Sequence, residues 1–328
     1  MATTRRKPTV VKSVLDDIEH HPLKALIPPK HRLDNYVGRK IGGIEDLDIL
    51  NAALKSRHNV GIFGPTGCAK TTAVYAFGHK IGVPVFSVPC NGAADPTFLF
   101  GGYRPNPDGT FTLRPGPVYY IAKYGGINLF DEFNMLPPRI GAVLHGMLDS
   151  RRILVLPDFD GSDDLDAYGN PIESTVQLHP MCLNVATWNP AYAGTYALNA
   201  ATLNRFGHKM RFDYSRTVEE DLIVSGNLLD MAAKLRVSVS NGVLRTPVST
   251  NMLIEFEEFA GEDGLGLTYA IENFVTSFFD DEQPSVREVL RQHYDGIAAD
   301  LAPEDDGSEY DDEAVDDDDF TNDSGDDD

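Results

Sequence analysis

"GIFGPTGCAKTT", residues 61–72, decides the fold. It follows the phosphate-binding loop pattern G-x-x-x-x-G-K-[ST] at Gly64, Lys70 and Thr71, with Ala69 where the second glycine belongs. The apolar run "NVGIFG" (59–64) ahead of it stops at glycine and reads as a buried strand. "KTTAVYAFGHKIG" (70–82) behind it reads as a helix with Gly82 near its end. Strand, glycine-rich turn and helix are the setting in which backbone N–H groups and a helix N-terminus hold phosphate. Gly64, Pro65, Thr66, Gly67, Cys68, Ala69, Lys70, Thr71 and Thr72 are therefore the candidate cradle. Lys70 is placed to reach the β- and γ-phosphates of a nucleotide, and the Thr71 hydroxyl to ligate Mg²⁺. Ala69 adds only a methyl group, which is tolerated if the backbone there is near-helical and not at positive φ.

Two further strands deliver polar residues at their ends. "INLFDEF" places Asp131 and Glu132 after an apolar run about 60 residues beyond Lys70. Phosphoryl transfer needs a carboxylate that holds Mg²⁺ through water, assigned to Asp131, and a group that orients or deprotonates the attacking water, assigned to Glu132. "LNVATWNP" ends in Asn189, whose amide can position that water. Standing alone, each pair would read as a turn.

Outward from these motifs, "IEDLDILNAALKSR" (44–57) has helical apolar spacing and "VPVFSVPC" (83–90) reads as another strand. Alternating strands and helices imply a three-layer α/β fold around a parallel sheet over residues 31–213. Beyond Asp213 strand signals fade, and four helical stretches suggest a small helical domain over 214–300. Residues 1–30 read as a basic arm.

The formal charge of −22 is concentrated: residues 301–328 hold 15 acidic residues and no basic ones, leaving about −7 on the first 300. The tail therefore reads as an acidic disordered segment, and the body offers no broad basic surface for nucleic acid. Three scattered cysteines, Cys68, Cys90 and Cys182, argue against a disulfide framework. No apolar stretch approaches a membrane span, which points to a cytoplasmic protein.

Together "GPTGCAKT", "LFGGYRPNPDGTFTLRPGPVYYIAKYGG", "FDEFNMLPP" and "ATWNPAYAGTYALNAATLNRF" resemble the MoxR-like, dynein-related branch of the AAA+ ATPases, over roughly Tyr36 to Phe212. The resemblance implies ATP hydrolysis by a ring, most often of six copies, acting on a protein partner that in this branch can carry a von Willebrand A domain. It implies that alanine at position 69 is common in the branch, and that Arg205 is an arginine finger reaching the γ-phosphate of a neighbouring subunit, with Arg211 and Arg216 as nearby substitutes. "YVGRK" resembles the segment packing on adenine, with Tyr36 and Val37 as contacts, although an aromatic there can equally be core. Residues 100–116 match a hairpin insert, with Tyr103 and Phe111 facing a substrate or packing the hairpin. The acidic stretch 156–175 reads as an exposed, solvated loop. Asn251 stands where relatives carry the sensor-2 arginine, with Arg245 as a possible stand-in. Motor subunits of metal chelatases and DNA-acting motors are the alternative readings; the acidic balance disfavours nucleic acid as a partner.

Overall fold

The computed structural model describes residues 36–302, apart from 92–93, 137, 157–158, 160–163, 191–197, 199 and 262–263, and before them residues 21, 23–30 and 33. Most of the basic arm, nearly all of the acidic tail and the loop after Pro190 lie outside the described residues.

Five parallel strands form the central sheet: β1 (Asn59–Phe63), β2 (Val85–Pro89), β3 (Gly126–Asp131), β4 (Cys182–Trp188) and β5 (Phe206–Arg211). They lie in the order β5-β1-β4-β3-β2, so β4 sits between β1 and β3 although it follows both in the chain. The register sets Trp188 beside Phe63 and Ala186 beside Phe130, so the C-terminal ends of these three strands finish nearly level. Every residue of β4 is buried, as a parallel strand covered on both faces should be.

Alternate residues feed two cores. Val60, Ile62, Ile127, Leu129, Leu183 and Val185 pack against α1 (Asp46–Ser56) and α2 (Lys70–Ile81) through Leu50, Ala53, Val74 and Phe77. Phe130, Ala186, Trp188 and Phe206 pack on the other face against α3 (Pro117–Tyr124) and α4 (Pro138–Leu148) through Tyr119, Ile121, Leu144 and Met147. Each fully buried side chain of this size contributes about 1.5–3 kcal/mol, which holds the three layers together.

The strand β5 departs from the sequence reading. "FGHKMR" looks too polar for a sheet, but only Phe206 and Met210 face inward while Gly207, Lys209 and Arg211 face solvent. An edge position needs no more apolar content than that.

Past Asp213 the chain is helical: a single turn at Arg216–Glu219, then α5 (Gly226–Ser240), α6 (Thr250–Ala260), α7 (Leu267–Thr276) and α8 (Gln283–Asp300). These close around their own core, which includes Leu229, Met231, Leu253, Phe256, Phe274 and Leu290. The helical path breaks between Glu219 and Gly226, and the Ser225 hydroxyl, accepting the Leu228 N–H at 3.1 Å, starts α5 afresh.

The expected hairpin is present: Gly101–Pro105 pairs antiparallel with Phe111–Pro115, and Tyr103 and Phe111 are 42% and 66% exposed. The acidic stretch is largely exposed where it is described, as expected, but it is anchored to the body at two points. Asp166 is buried, accepts from the Tyr124 hydroxyl and from the N–H groups of Tyr168 and Asn170, and lies 3.4 Å from Lys123 Nζ. Ile172 joins the core beneath it. Among the described residues no helix is long and apolar enough to cross a membrane.

Candidate functional site

The loop between β1 and α2 is shaped by contacts that a side chain would block. A Cβ on Gly64 would collide with the Phe212 carbonyl, and one on Gly67, at φ 63°, would come within 2.5 Å of Ser249 Cβ. Gly67 thus lets the loop touch the cap of α6. Ala69 has φ 62° and ψ 27°, in the left-handed region. The condition for a costless methyl is not met; an alanine held there costs about 1 kcal/mol. Its carbonyl still accepts the Ala73 N–H at 3.0 Å, so the strained residue opens the helix. Glu132 likewise sits at φ 55°, directly after β3. Two non-glycine residues in this region within one site store strain where chemistry is expected.

Lys70 is 9% exposed, and its Nζ donates to the carbonyls of Gly64 (3.1 Å) and Pro65 (2.5 Å) and to Asn189 Oδ1 (2.7 Å). Burial lowers its pKa, an effect opposed by Cys68, Asp131 and Glu132. Thr71 Oγ1 donates to Asp131 at 3.1 Å, and the Thr187 hydroxyl donates to the same carboxylate. Thr187 also accepts the Glu132 N–H, at 3.3 Å. Asn134 Nδ2 donates to the Asn189 carbonyl at 3.0 Å. The level strand ends explain the convergence: β1 supplies the loop, β3 the two acids and β4 the threonine and asparagine.

A cavity of about 230 Å³ opens at this point, lined by Thr66, Gly67, Ala69, Lys70, Thr71, Thr72, Asp131, Glu132, Thr187, Trp188, Asn189 and Asn251. Of the expected cradle, Gly64 and Pro65 lie beneath it as acceptors for Lys70. Cys68 is buried, its thiol donating to Pro65 O at 3.1 Å and its pKa raised by that burial. The Thr71 hydroxyl and the Asp131 carboxylate, 3.1 Å apart, are oxygen donors of the kind Mg²⁺ takes, the hydroxyl as a ligand and the carboxylate through water. This pair fits the metal.

A second cavity, about 290 Å³, shares Gly67, Ala69, Thr72 and Asn251 with the first and is walled by Val37, Arg39, Cys68, Leu222 and Ile254. Val37 lines this space. Tyr36 does not line this space: it packs on the α1–α2 core, and its hydroxyl donates to buried Asp46 at 2.5 Å. Burial and that carboxylate raise its pKa.

Arg205 lies outside both cavities; its Nη1 donates to the Ala201 carbonyl at 3.0 Å, and it forms no ion pair among the described residues. The substitutes are occupied, Arg211 by Asp213 and Arg216 by Glu220 and Asp230. Arg245 is no stand-in for Asn251, because it is held by Asp281 and Glu282 and stacks on Phe279.

Sequence reasoning missed three groups at the site. Arg39 is buried in the wall of the second cavity, 4.1 Å from the Phe212 ring and bonded to the Asp213 carbonyl at 3.1 Å. Tyr214 donates its hydroxyl to the Thr66 carbonyl in the loop, at 2.8 Å. Thr187 could have been suspected from "ATWNP", two residues before Asn189.

Sheet order, loop and acids define a P-loop nucleotide-binding fold of the three-layer α/β kind. Residues 59–206 match the sequence profile of the AAA domain, dynein-related subfamily. The chain is 30% identical to protein CbbQ of Hydrogenophilus thermoluteolus over 199 residues, 60% of this chain and 69% of that protein. It is 28% identical to protein NorQ of Paracoccus denitrificans over 239 residues, 70% of this chain and 82% of the relative. Over 165 residues it is 30% identical to the denitrification regulatory protein NirQ of Stutzerimonas stutzeri, covering 50% of this chain and about half, 54%, of that one. The chain belongs to the MoxR-like, dynein-related branch of the AAA+ ATPases.

Proposed function

We propose that the chain binds ATP with Mg²⁺, hydrolyses it to ADP and phosphate, and does so as a ring of copies, six by the resemblance, that remodels or activates a protein partner. The observation that carries this is the meeting of Lys70, Thr71, Asp131, Glu132 and Asn189 around one open cavity at three level strand ends. Lys70 and the loop amides bind the phosphates. Thr71 and Asp131 hold Mg²⁺, which neutralises charge developing on the transferred phosphoryl group. Glu132, exposed beside the cavity, takes the proton of the attacking water, and Asn189 orients that water. The base and ribose occupy the second cavity against Val37 and Arg39, with the helical part forming a lid through Asn251. Arg205 acts in trans, a role supported by its lack of an ion pair among the described residues and its place outside its own chain's two cavities. The regulatory role that the name of NirQ carries supports a protein partner.

Two variants test the reading. Lys70→Ala should abolish ATP binding. Glu132→Gln should keep binding, lose hydrolysis by a factor of 10² or more, and retain a partner in a pull-down with ATP. A Lys70→Ala protein that hydrolyses ATP at the rate of the unaltered chain would overturn it.

A further inference from the structure

Three asparagines form a row across the middle of the sheet. Asn184 of β4 lies in register with Asn128 of β3, and Asn59 of β1 stands one step before the Val60–Val185 pair. All three are buried, on the face that packs against α3 and α4. Asn128 Nδ2 donates to Asn184 Oδ1 at 3.1 Å, and Asn184 Nδ2 donates to Asn59 Oδ1 at 3.2 Å. Asn59 Nδ2 ends the row by donating to two main-chain carbonyls, Leu148 at 2.7 Å and Arg205 at 2.9 Å.

The direction of the whole row follows from that end. Two carbonyls can accept only from the Asn59 NH₂ group, so its oxygen must face Asn184, and each amide in turn is fixed. The far end is left over: Asn128 Oδ1 is buried with no hydrogen-bond partner among the described residues. A row arranged only for stability would not leave an acceptor stranded in the core, because such a group loses its hydration for nothing. What the row does satisfy is the other end, where Asn184 Nδ2 reaches the Met147 carbonyl at 3.4 Å and Asn59 serves Leu148 and Arg205. There the Asn59 amide ties the Arg205 carbonyl to the C-terminus of α4, the helix that follows the Asp131–Glu132 strand. The Arg205 N–H is bonded to Thr202 O at 3.1 Å, so its peptide groups are pinned on both sides.

We infer that Asn59 is the positioning residue for Arg205: its amide, held between the Leu148 carbonyl and Asn184, fixes the point from which the Arg205 guanidinium reaches the nucleotide of a neighbouring copy. This rests on the proposed trans role of Arg205. Asn59 itself touches no nucleotide cavity, so its loss should impair the neighbour's site and leave its own intact.

Mixed assemblies of the full chain test this. Asn59→Ala and Arg205→Ala should each bind ATP as the unaltered chain does, read from the fluorescence of Trp188, the single tryptophan, which lines the cavity. Each should lose kcat by at least tenfold. Mixed with Lys70→Ala subunits, which cannot bind nucleotide but carry a correctly held Arg205, both should regain activity well above the sum of the separate proteins. Asn59→Ser provides a second variant if Asn59→Ala fails to fold. Asn128→Ala, which removes the far rung and leaves both Asn59 bonds, should keep kcat within about twofold. The inference is overturned if Arg205→Ala is rescued by Lys70→Ala subunits and the Asn59 variants are not, or if Asn128→Ala loses as much as they do. Full activity in Arg205→Ala alone would remove the trans reading itself, and the inference with it.

Discussion

Lys70 Nζ donates to Asn189 Oδ1 at 2.7 Å, so the loop cation and the amide at the end of β4 share one hydrogen bond across the mouth of the site. The amide is neutral and can yield the ammonium to a phosphate. A carboxylate in its place would compete with phosphate for the same charge, and a charge-assisted bond in a partly buried setting is worth roughly 1.5–3 kcal/mol. Asn189→Asp should therefore weaken ATP binding by about tenfold or more, by RT ln K at 1.4 kcal/mol per decade. Asn189→Ala should bind within a few-fold of the unaltered chain and lose kcat. Titration of Trp188 fluorescence with ATP separates the two, and equal affinity in all three proteins would show that the Lys70–Asn189 bond is irrelevant to binding.

Ala69, at φ 62°, predicts a stability pattern that no other loop position shares. Ala69→Gly removes a left-handed penalty of about 1–2 kcal/mol and restores about 0.5–1 kcal/mol of chain entropy. The net effect should be a small gain, about 0–1 kcal/mol. Ala69→Val puts a β-branched residue in the same conformation and should lose about 2 kcal/mol or more. Thermal unfolding should show Tm unchanged or slightly raised for the glycine variant and clearly lowered for the valine variant. A fall in both would mean that the methyl group contributes packing that outweighs its strain.

Much of the site was legible because it lies along strands and in one loop. "NVGIFG", "INLFDEF" and "LNVATWNP" carry their polar residues at the ends of apolar runs, and a parallel sheet brings such ends together whatever the loops do. What could not be read depended on which strands are neighbours. Asn59, Asn128 and Asn184 look like isolated blemishes in three strands until the order β1-β4-β3 lines them up. The need for glycine at 64 and 67 comes from Phe212 and Ser249, residues far along the chain that a side chain there would strike. Asp166 reads as a solvated acid because nothing local shows that Tyr124 and Lys123 reach it. The strand β5 escaped notice because only one side of an edge strand need be apolar.

Glu219 is 2% exposed and is held by both Arg236 Nη atoms, at 2.8 and 2.6 Å, and by the Thr250 hydroxyl at 2.6 Å. Arg236 also stacks 4.2 Å from the Tyr214 ring, whose hydroxyl holds the phosphate loop. Arg236→Ala leaves the carboxylate buried and unpaired and should destabilise the fold by about 3–5 kcal/mol. Arg236→Met combined with Glu219→Gln removes both charges and should recover most of that loss. A double variant no more stable than Arg236→Ala would show that the pair is not what makes the single change costly.

Asp300, at the end of α8, accepts from the Ser225 hydroxyl at 2.7 Å and from the Asn227 N–H and side-chain amide, both at 3.0 Å, at the start of α5. These bonds, the Asn227 N–H first, lower its pKa below the usual 3.8. A lowered carboxylate pKa adds stability above the unfolded value and loses it as pH falls through the folded one. Asp300→Asn should therefore melt below the unaltered chain at pH 7, and the gap should close as pH falls below about 3.8. A gap that does not depend on pH would assign the effect to shape and not to charge.

Asn251 is exposed and lines both cavities, the only residue of α6 to reach the phosphate side among the described residues. An amide there offers hydrogen bonds without charge, whereas a guanidinium offers both and can grip phosphate in a fork. Asn251→Arg should tighten ATP binding several-fold at low salt, with the gain shrinking as salt rises. Glu255 stands one helical turn onward and faces the second cavity, so it can capture the new arginine as an i,i+4 partner. The Asn251→Arg, Glu255→Gln double variant removes that competitor and should bind ATP more tightly than the single one. The Kd from Trp188 fluorescence decides the matter. If neither variant binds ATP more tightly than the unaltered chain, α6 does not approach the phosphates and the lid acts through the Thr66–Tyr214 contact instead.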